Sequence, residues 1–264
     1  MRQPGGGMSG AYVVIDLGTA RTRSLVSGGP AITDRPSSAP HRAPGPADAG
    51  VLAEPGLVWP VRHGMVADMA ACARLVRAVM RDAARDGARP LERVLVGVPV
   101  AASDLDRRAA RAAVGSVAGC PVSLVEEPLA AAVGSGLDVT GPRPRLLIDV
   151  GAGIVEAVVI RDAGVADAGA VQITLRSSAG LPGHDLERVV AMVGDLIGRL
   201  PAGDRAAARA GVRLTGGGAA QPELAQRLRT ALRVTATPAR EPAHATVKGL
   251  ATLGRLAGHP NITE

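Results

Sequence analysis

The sequence predicts an α/β fold in which mixed sheets are covered by helices on both faces. Three observations carry this. Short apolar runs rich in β-branched residues alternate with segments whose apolar residues recur at spacings of three and four. Residues 145–150 and 154–160 flank Gly151-Ala152-Gly153 as the two arms of a hairpin. An aspartate and a glycine turn follow an apolar run twice, at Asp16-Leu17-Gly18-Thr19 and at Asp149-Val150-Gly151-Ala152. The chain therefore reads as one fold duplicated, with the second half starting near Arg145.

Residues 12–15 form a buried strand that ends at Asp16. Between 27 and 56, Pro30, Pro36, Pro40, Pro44, Pro46 and Pro55 exclude a helix or a central strand. Residues 30–50 are expected to be a disordered excursion. Asp68 caps a helix running to about Arg85, with Cys72, Leu75, Val76, Val79 and Met80 on one face. Gly87 and Pro90 end it. A strand at 93–99 follows. Ser103 then starts a helix whose Leu105, Ala109, Ala112 and Ala113 should face inward. Residues 122–125 are a strand, and a helix with Pro128 in its first turn runs to about Val133. After the hairpin, a third strand is expected near 171–176, a helix over roughly 185–199 and a strand at 212–215. Gly216-Gly217-Gly218 leads into a helix near Pro222, and a last helix covers about 243–256. The organisation is a flexible leader (1–10), a first lobe (11–144), a second lobe (145–257) and a short tail (258–264).

Composition sets the exclusions. With 264 residues, 47% of them apolar, the chain buries a substantial core and is not wholly disordered. It has no Phe, one Trp (Trp59) and one Tyr (Tyr12), too few rings to stack single-stranded nucleic acid. The net charge is +6, but Lys248 is the only lysine and the arginines are dispersed, often beside acids as in Arg81-Asp82. That pattern is a solvated surface and not a phosphate-tracking stripe, so no nucleic-acid partner is expected. No run of about 18 apolar residues occurs, and residues 1–10 lack the apolar stretch of a signal peptide. Neither membrane insertion nor secretion is expected; the place is cytoplasmic, at the inner membrane only through partners. Cys72 and Cys120 read as small core residues of a reducing compartment, and no two histidines have zinc-ligand spacing.

The chemistry concentrates at the glycine turns. An Asp-x-Gly-Thr turn at a strand end offers a phosphate both backbone N–H groups and a hydroxyl, with glycine permitting close approach. A carboxylate beside a phosphate is unfavourable unless a divalent cation lies between them. Mg²⁺ is typically held by one or two carboxylates plus phosphate oxygens, and Asp16 and Asp149 suit that role as a pair. The third cluster, Gly216–Gly218, also follows a strand.

These residues resemble the actin-like ATPase superfamily, a duplicated ribonuclease H-like fold, and within it the MreB/Mbl branch. The first phosphate loop is similar to Asp16-Leu17-Gly18-Thr19-Ala20 with Thr22. The segment entering the first long helix resembles PVRHGMVAD at 60–68. The densest likeness runs from Val94 to Gly136 and includes VEEPLAAAVGSG. The second phosphate loop is similar to LLIDVGAGIVEAVVI at 146–160, and the adenosine motif to LTGGGA at 214–219. The resemblance covers most of 11–28 and 58–257. It implies ATP and Mg²⁺ in an interlobe cleft, with Gly18, Thr19, Ala20, Arg21, Gly151, Ala152, Gly153, Gly183, Gly216, Gly217 and Gly218 around the nucleotide and Asp16 and Asp149 on the metal. It also implies that Glu126, the first acid of Glu-Glu-Pro, positions the attacking water. The residue by itself reads equally as a carboxylate on a helix dipole.

Departures from the family pattern matter as much. Ile154 and Val155 stand where the second loop usually has two threonines, so two hydroxyls are missing. Ala152 replaces the middle glycine of that loop. Arg21 stands where the first loop usually has Asn, with Arg23 beyond it, and an arginine there either supplies lost phosphate donors or points to solvent. The small subdomain of each half is absent: the proline-rich stretch replaces one, and residues 201–211, about one short loop, replace the other. A nucleotide held on one face binds weakly and is hydrolysed slowly or not at all.

The resemblance implies a cytoskeletal role in cell shape or cell-wall synthesis, with self-association or co-assembly with a full-length actin homologue. Two other readings remain open: a nucleotide-independent adaptor, and a chaperone-like or sugar-kinase-like ATPase.

Overall fold

The computed structural model describes residues 10–29, 31–41, 56–85, 90–173 and 181–256. Most of the predicted leader, the tail and the prolines at 30, 44, 46 and 55 lie outside them. In chain order the first half contains β1 (Ala11–Leu17), β2 (Arg21–Val26), β3 (Thr33–Pro36), β4 (Ala39–Pro40), β5 (Leu57–Val58), β6 (Val61–Arg62), β7 (Met65–Val66), α1 (Met69–Arg85), β8 (Leu91–Val98), α2 (Asp104–Ala118), β9 (Val122–Glu126) and α3 (Glu127–Gly134). The second contains β10 (Arg145–Val150), β11 (Ile154–Arg161), β12 (Gly164–Gln172), α4 (Gly183–Arg199), α5 (Ala202–Ala210), β13 (Val212–Thr215), α6 (Pro222–Leu232), β14 (Ala236–Pro238) and α7 (Ala245–Leu256).

Two five-stranded sheets result, ordered β3-β2-β1-β8-β9 and β12-β11-β10-β13-β14. In each, the first three strands in sequence pair antiparallel and the last two join parallel. The same topology occurs twice, as the repeated Asp-Gly turns led one to expect.

The strands are nearly continuous apolar runs because helices cover both faces of each sheet. On one face of the first sheet, Val13, Ile15, Val94 and Val96 pack against Cys72, Leu75 and Val79 of α1 and Val114 of α2. On the other, Tyr12, Val14 and Leu95 meet Ala130 of α3 and Val247 and Leu250 of α7. In the second sheet, Ile148, Val155 and Ala157 pack on Val189, Val193 and Ile197 of α4 and Leu228 of α6. Its opposite face puts Leu147, Val158 and Ile160 against Ala131 and Ala132 of α3 and Ala245 of α7. Helices α3 and α7 thus lie between the sheets and touch both. The sequence grouped α7 with the second lobe alone, because periodicity does not tell which sheet a helix covers.

Several expectations change. Within the stretch read as disordered, residues 33–40 hold β3 and β4; proline is tolerated there because β3 is an edge strand and β4 pairs on one side only. Residues 201–211 are mostly helical, as α5, and not a short loop. The third strand of the second half spans Gly164–Gln172, earlier than 171–176. In α2 the buried residues are Ala110, Ala113 and Val114, whereas Leu105 is exposed. The helix lies one step round from the predicted face, since Ser103 and Asp106 form a capping box that fixes its start.

Candidate functional site

The central strands β1 and β10 end on the same cleft, each with its aspartate buried just before a glycine turn. Glycine is needed in both turns: a Cβ on Gly18 would lie 2.7 Å from the Arg21 carbonyl oxygen, and one on Gly151 would lie 2.8 Å from that of Ile154. Gly216, with φ of 86°, adopts the left-handed conformation against the Val150 backbone. These turns enclose a cavity of about 100 Å³. Of the residues assigned from sequence, Asp16, Gly18, Thr19, Ala20, Arg21, Asp149, Gly151, Ala152, Gly153, Gly216 and Gly217 border it. Gly218 does not, as its N–H is spent on the Val150 carbonyl at 2.9 Å. Gly183 opens α4 outside the lining.

Glu126 is not in the cleft. It ends β9 with its carboxylate 3.4 Å from Arg107 Nη2. Its neighbour Glu127 lines the cavity and is buried, at 8% exposure. Glu126 closes β9 and Glu127 opens α3, and at that change of element only the second of the two adjacent glutamates borders the cavity. Glu127 Oε1 is fully buried without a hydrogen-bond partner among the described residues.

The two arginines of β2, whose orientation the sequence left open, both border the cavity and differ in their partners. Arg21 stands at the rim, its Nε on Asp34 Oδ1 at 2.7 Å and its Nη2 on the Asp34 carbonyl at 3.1 Å. Arg23 is the inward one: it lies directly opposite Asp16 across β2 and β1, with Nη1 3.6 Å from Asp16 Oδ2. Its Nε donates to Asp34 Oδ2 at 3.1 Å. In the second half the residue opposite Asp149 is Glu156. One carboxylate oxygen of Glu156 accepts from the Ala101 N–H at 3.0 Å, and the other is buried without a partner among the described residues. Sequence reasoning missed Glu156, although it stands seven residues after its aspartate just as Arg23 does.

Burial dominates the electrostatics. It pushes the Asp16 carboxyl up to about 7, with Arg23 opposing and Asp149 adding to the rise. It raises Glu127 well above the usual carboxylate range, helped by Asp16, Glu156 and Asp149. Asp149 is also raised by burial, against a hydrogen bond of 2.6 Å donated by Thr215 Oγ1. Glu156 is pushed up to about 7, again by burial first. Crowded buried carboxylates favour protonation or a nearby cation. The donor set is all oxygen, the chemistry of a hard divalent ion. Among the described residues no group of three or more His, Cys, Asp or Glu could hold a metal ion.

Two further elements frame the cleft. Ser37, in the stretch read as disordered, props the first turn: its N–H donates to the Ala20 carbonyl at 2.9 Å and its Oγ to that of Gly18 at 2.6 Å. The β6–β7 hairpin turns at His63-Gly64, both with positive φ. Gly64 N–H donates to Thr19 Oγ1 at 2.9 Å, and His63 Nδ1 lies 2.7 Å from the Gly153 carbonyl oxygen. The hairpin therefore ties the turns of both halves together. Ile154 and Val155 are buried.

The MreB/Mbl protein family model matches residues 54–176. The cell shape-determining protein MreB of Escherichia coli (strain K12) is 32% identical over 183 residues, 63% of this chain and 53% of that protein. Mbl of Bacillus subtilis (strain 168) is 24% identical over 161 residues, 55% of this chain and 47% of Mbl. The chain thus spans about half the length of the curated relatives it matches. Among solved structures, MreB5 of Spiroplasma citri bound to ADP superposes with a TM-score of 0.78 at 17% identity, covering 95% of this chain and 98% of that one. A MamK double helical filament gives 0.75 at 15% identity, covering 94% and 99%. These structural likenesses establish the fold. Among the described residues no helix is long and apolar enough to cross a membrane.

Proposed function

We propose that this chain, an MreB-like actin-family protein, binds the phosphates of ATP or ADP between its two glycine turns and serves as a cytoskeletal element in cell shape or cell-wall synthesis. The observation that carries the reading is the pairing of Asp16 and Asp149, on equivalent strands of a duplicated fold, around one cavity with glycine cradles on both sides. Nucleotides occupy the solved structures of MreB5, one with ADP and one with AMPPNP. A magnesium ion, when bound, would be held by Asp16 and Asp149 and would offset phosphate charge.

The residues then divide the work. Backbone groups of the turns at 18–20 and 151–153, with Thr19, orient the phosphates. Glu127, one oxygen free, orients a water on the far side of the terminal phosphate. Ile154 donates nothing where the family has a hydroxyl, which supports a weak grip and slow turnover. The chain is proposed to be a reduced form of the fold, with the short strands β3–β5 in the first half and α5 in the second standing where the small subdomains would lie. Filaments are known for MamK, and this chain is proposed to self-associate or to co-assemble with a longer homologue.

Isothermal titration with Mg-ATP tests the reading. Binding is expected, and it should weaken by about tenfold or more in Asp16→Asn and in Asp149→Asn. Unchanged affinity in the double variant would sink it. The adaptor reading is favoured by one observation: Ile154 and Val155, both buried, offer no hydroxyl where the family pattern has two threonines. Complete absence of binding would select it.

A further inference from the structure

We propose that Arg23 is a resident cation of the cleft that takes nucleotide phosphate oxygens directly, so that this protein binds ADP without a divalent cation. The inference rests on the nucleotide reading above and specifies how the phosphate charge is met.

The cavity is lined by three carboxylates, Asp16, Asp149 and Glu127, and an entering phosphate would meet all of them. Arg23 lies among them and is buried, its side chain 13% exposed. Its place is fixed by strand pairing: Asp34, Arg23 and Asp16 stand in one row across β3, β2 and β1. Asp34 anchors the guanidinium from behind through Nε, and Arg21 holds Asp34 in turn. A guanidinium has five N–H donors in a rigid fork. The contacts to Asp34 and Asp16 use Nε and Nη1, which leaves donors on Nη2 for a phosphate oxygen.

The same ion pair competes with a divalent ion for Asp16: a metal bound there would displace the guanidinium, and without one Arg23 stands in its place. Asp149 has no such partner; the residue facing it is the acid Glu156. The two halves are therefore equivalent in backbone and opposite in charge at this position, and only the first supplies its own cation.

Calorimetric titration of ADP into the full chain, in EDTA and in excess Mg²⁺, decides the matter. The expected result is affinity within about threefold in the two buffers. Arg23→Leu should lose about tenfold or more in EDTA, the scale of one charge-assisted hydrogen bond, and less in Mg²⁺. Arg23→Lys, which keeps the charge, should fall between. If ADP binds in Mg²⁺ but not in EDTA, or if Arg23→Leu matches the unmodified chain in EDTA, the inference is wrong while the nucleotide reading stands. If ADP binds in neither buffer, both fall. Should Arg23→Leu fail to fold, the two-buffer comparison and Arg23→Lys still separate these outcomes.

Discussion

Glu127, in the cleft that holds two aspartates, and Glu156, opposite Asp149 on β11, each bury a carboxylate oxygen with nothing described to bond it. For Glu156 the folded-state value of about 7 lies above that of an exposed glutamate. Below the ordinary value both states carry the proton, and the stabilisation is fully present. As pH rises toward and through 7 the unfolded chain ionises first, and that contribution is lost. Asp16 adds in the same direction and window. The nucleotide-free protein should therefore melt at a lower temperature at pH 8 than at pH 5.5, and Glu156→Gln should flatten that slope. A slope unchanged by the substitution would show that Glu156 is not the source. The two neighbouring glutamates separate more sharply. With Mg-ATP, Glu127→Gln should reduce phosphate release by about a hundredfold, the scale of a lost general base. Glu126→Gln, whose carboxylate faces Arg107 outside the cavity, should leave it nearly unchanged. The reverse order in a phosphate-release assay would contradict the assigned geometry.

Among the elements, α3 and α7 approach so closely that side chains have no room. A Cβ on Gly249 would fall inside the shell of the Ala130 carbonyl oxygen, and one on Gly134 inside that of Ala245. Alanine gains about 1 kcal/mol of helix propensity over glycine, but overpacking costs about 1–3 kcal/mol or more. Separating the helices would also open both sheet interfaces that they fill. Gly249→Ala should therefore destabilise the protein in denaturant titration. Gly198→Ala, on α4 with open space around it, should stabilise it by up to about 1 kcal/mol. If Gly249→Ala stabilises too, the helices are not packed as described. The β6–β7 hairpin makes a different kind of contact, two hydrogen bonds that join the halves across the cleft. His63→Ala removes one of them, and amide exchange at Ile154 and Gly64 should quicken.

At the scale of the molecule, two sheets of equal topology share α3 and α7 as a common middle layer, and the cleft opens where the central strands of both end. Its inner cavity of about 100 Å³ continues past Thr19, Ala20, Ala152 and Gly153 into a wider space of about 410 Å³ bordered by Trp59, Arg62 and His63. Head-to-tail contacts between copies give open filaments when the rotation between neighbours does not close a ring. Sedimentation with Mg-ATP should show concentration-dependent growth of large species. A monomer at every concentration and with every nucleotide would remove self-assembly and leave co-assembly with a longer homologue as the cytoskeletal route.

The amino-acid sequence alone determined the α/β class, the duplication and the two aspartate turns, because each is written in a contiguous run: apolar periodicity, a strand end, a glycine where only glycine fits. Tertiary structure alone decided which side chains enter the cleft. Glu126 ends β9 and Glu127 starts α3, and the packing of that junction settles which of them borders the cavity with Asp16 and Asp149. Arg21 and Arg23 share a strand face, but only the pairing of β2 with β1 sets Arg23 opposite Asp16. Ser37 props the first turn through contacts that a proline-rich stretch does not announce. Local propensity is legible in one dimension; register and close approach arise between segments distant in the chain, where burial and hydrogen bonding choose among placements that local pattern leaves equal.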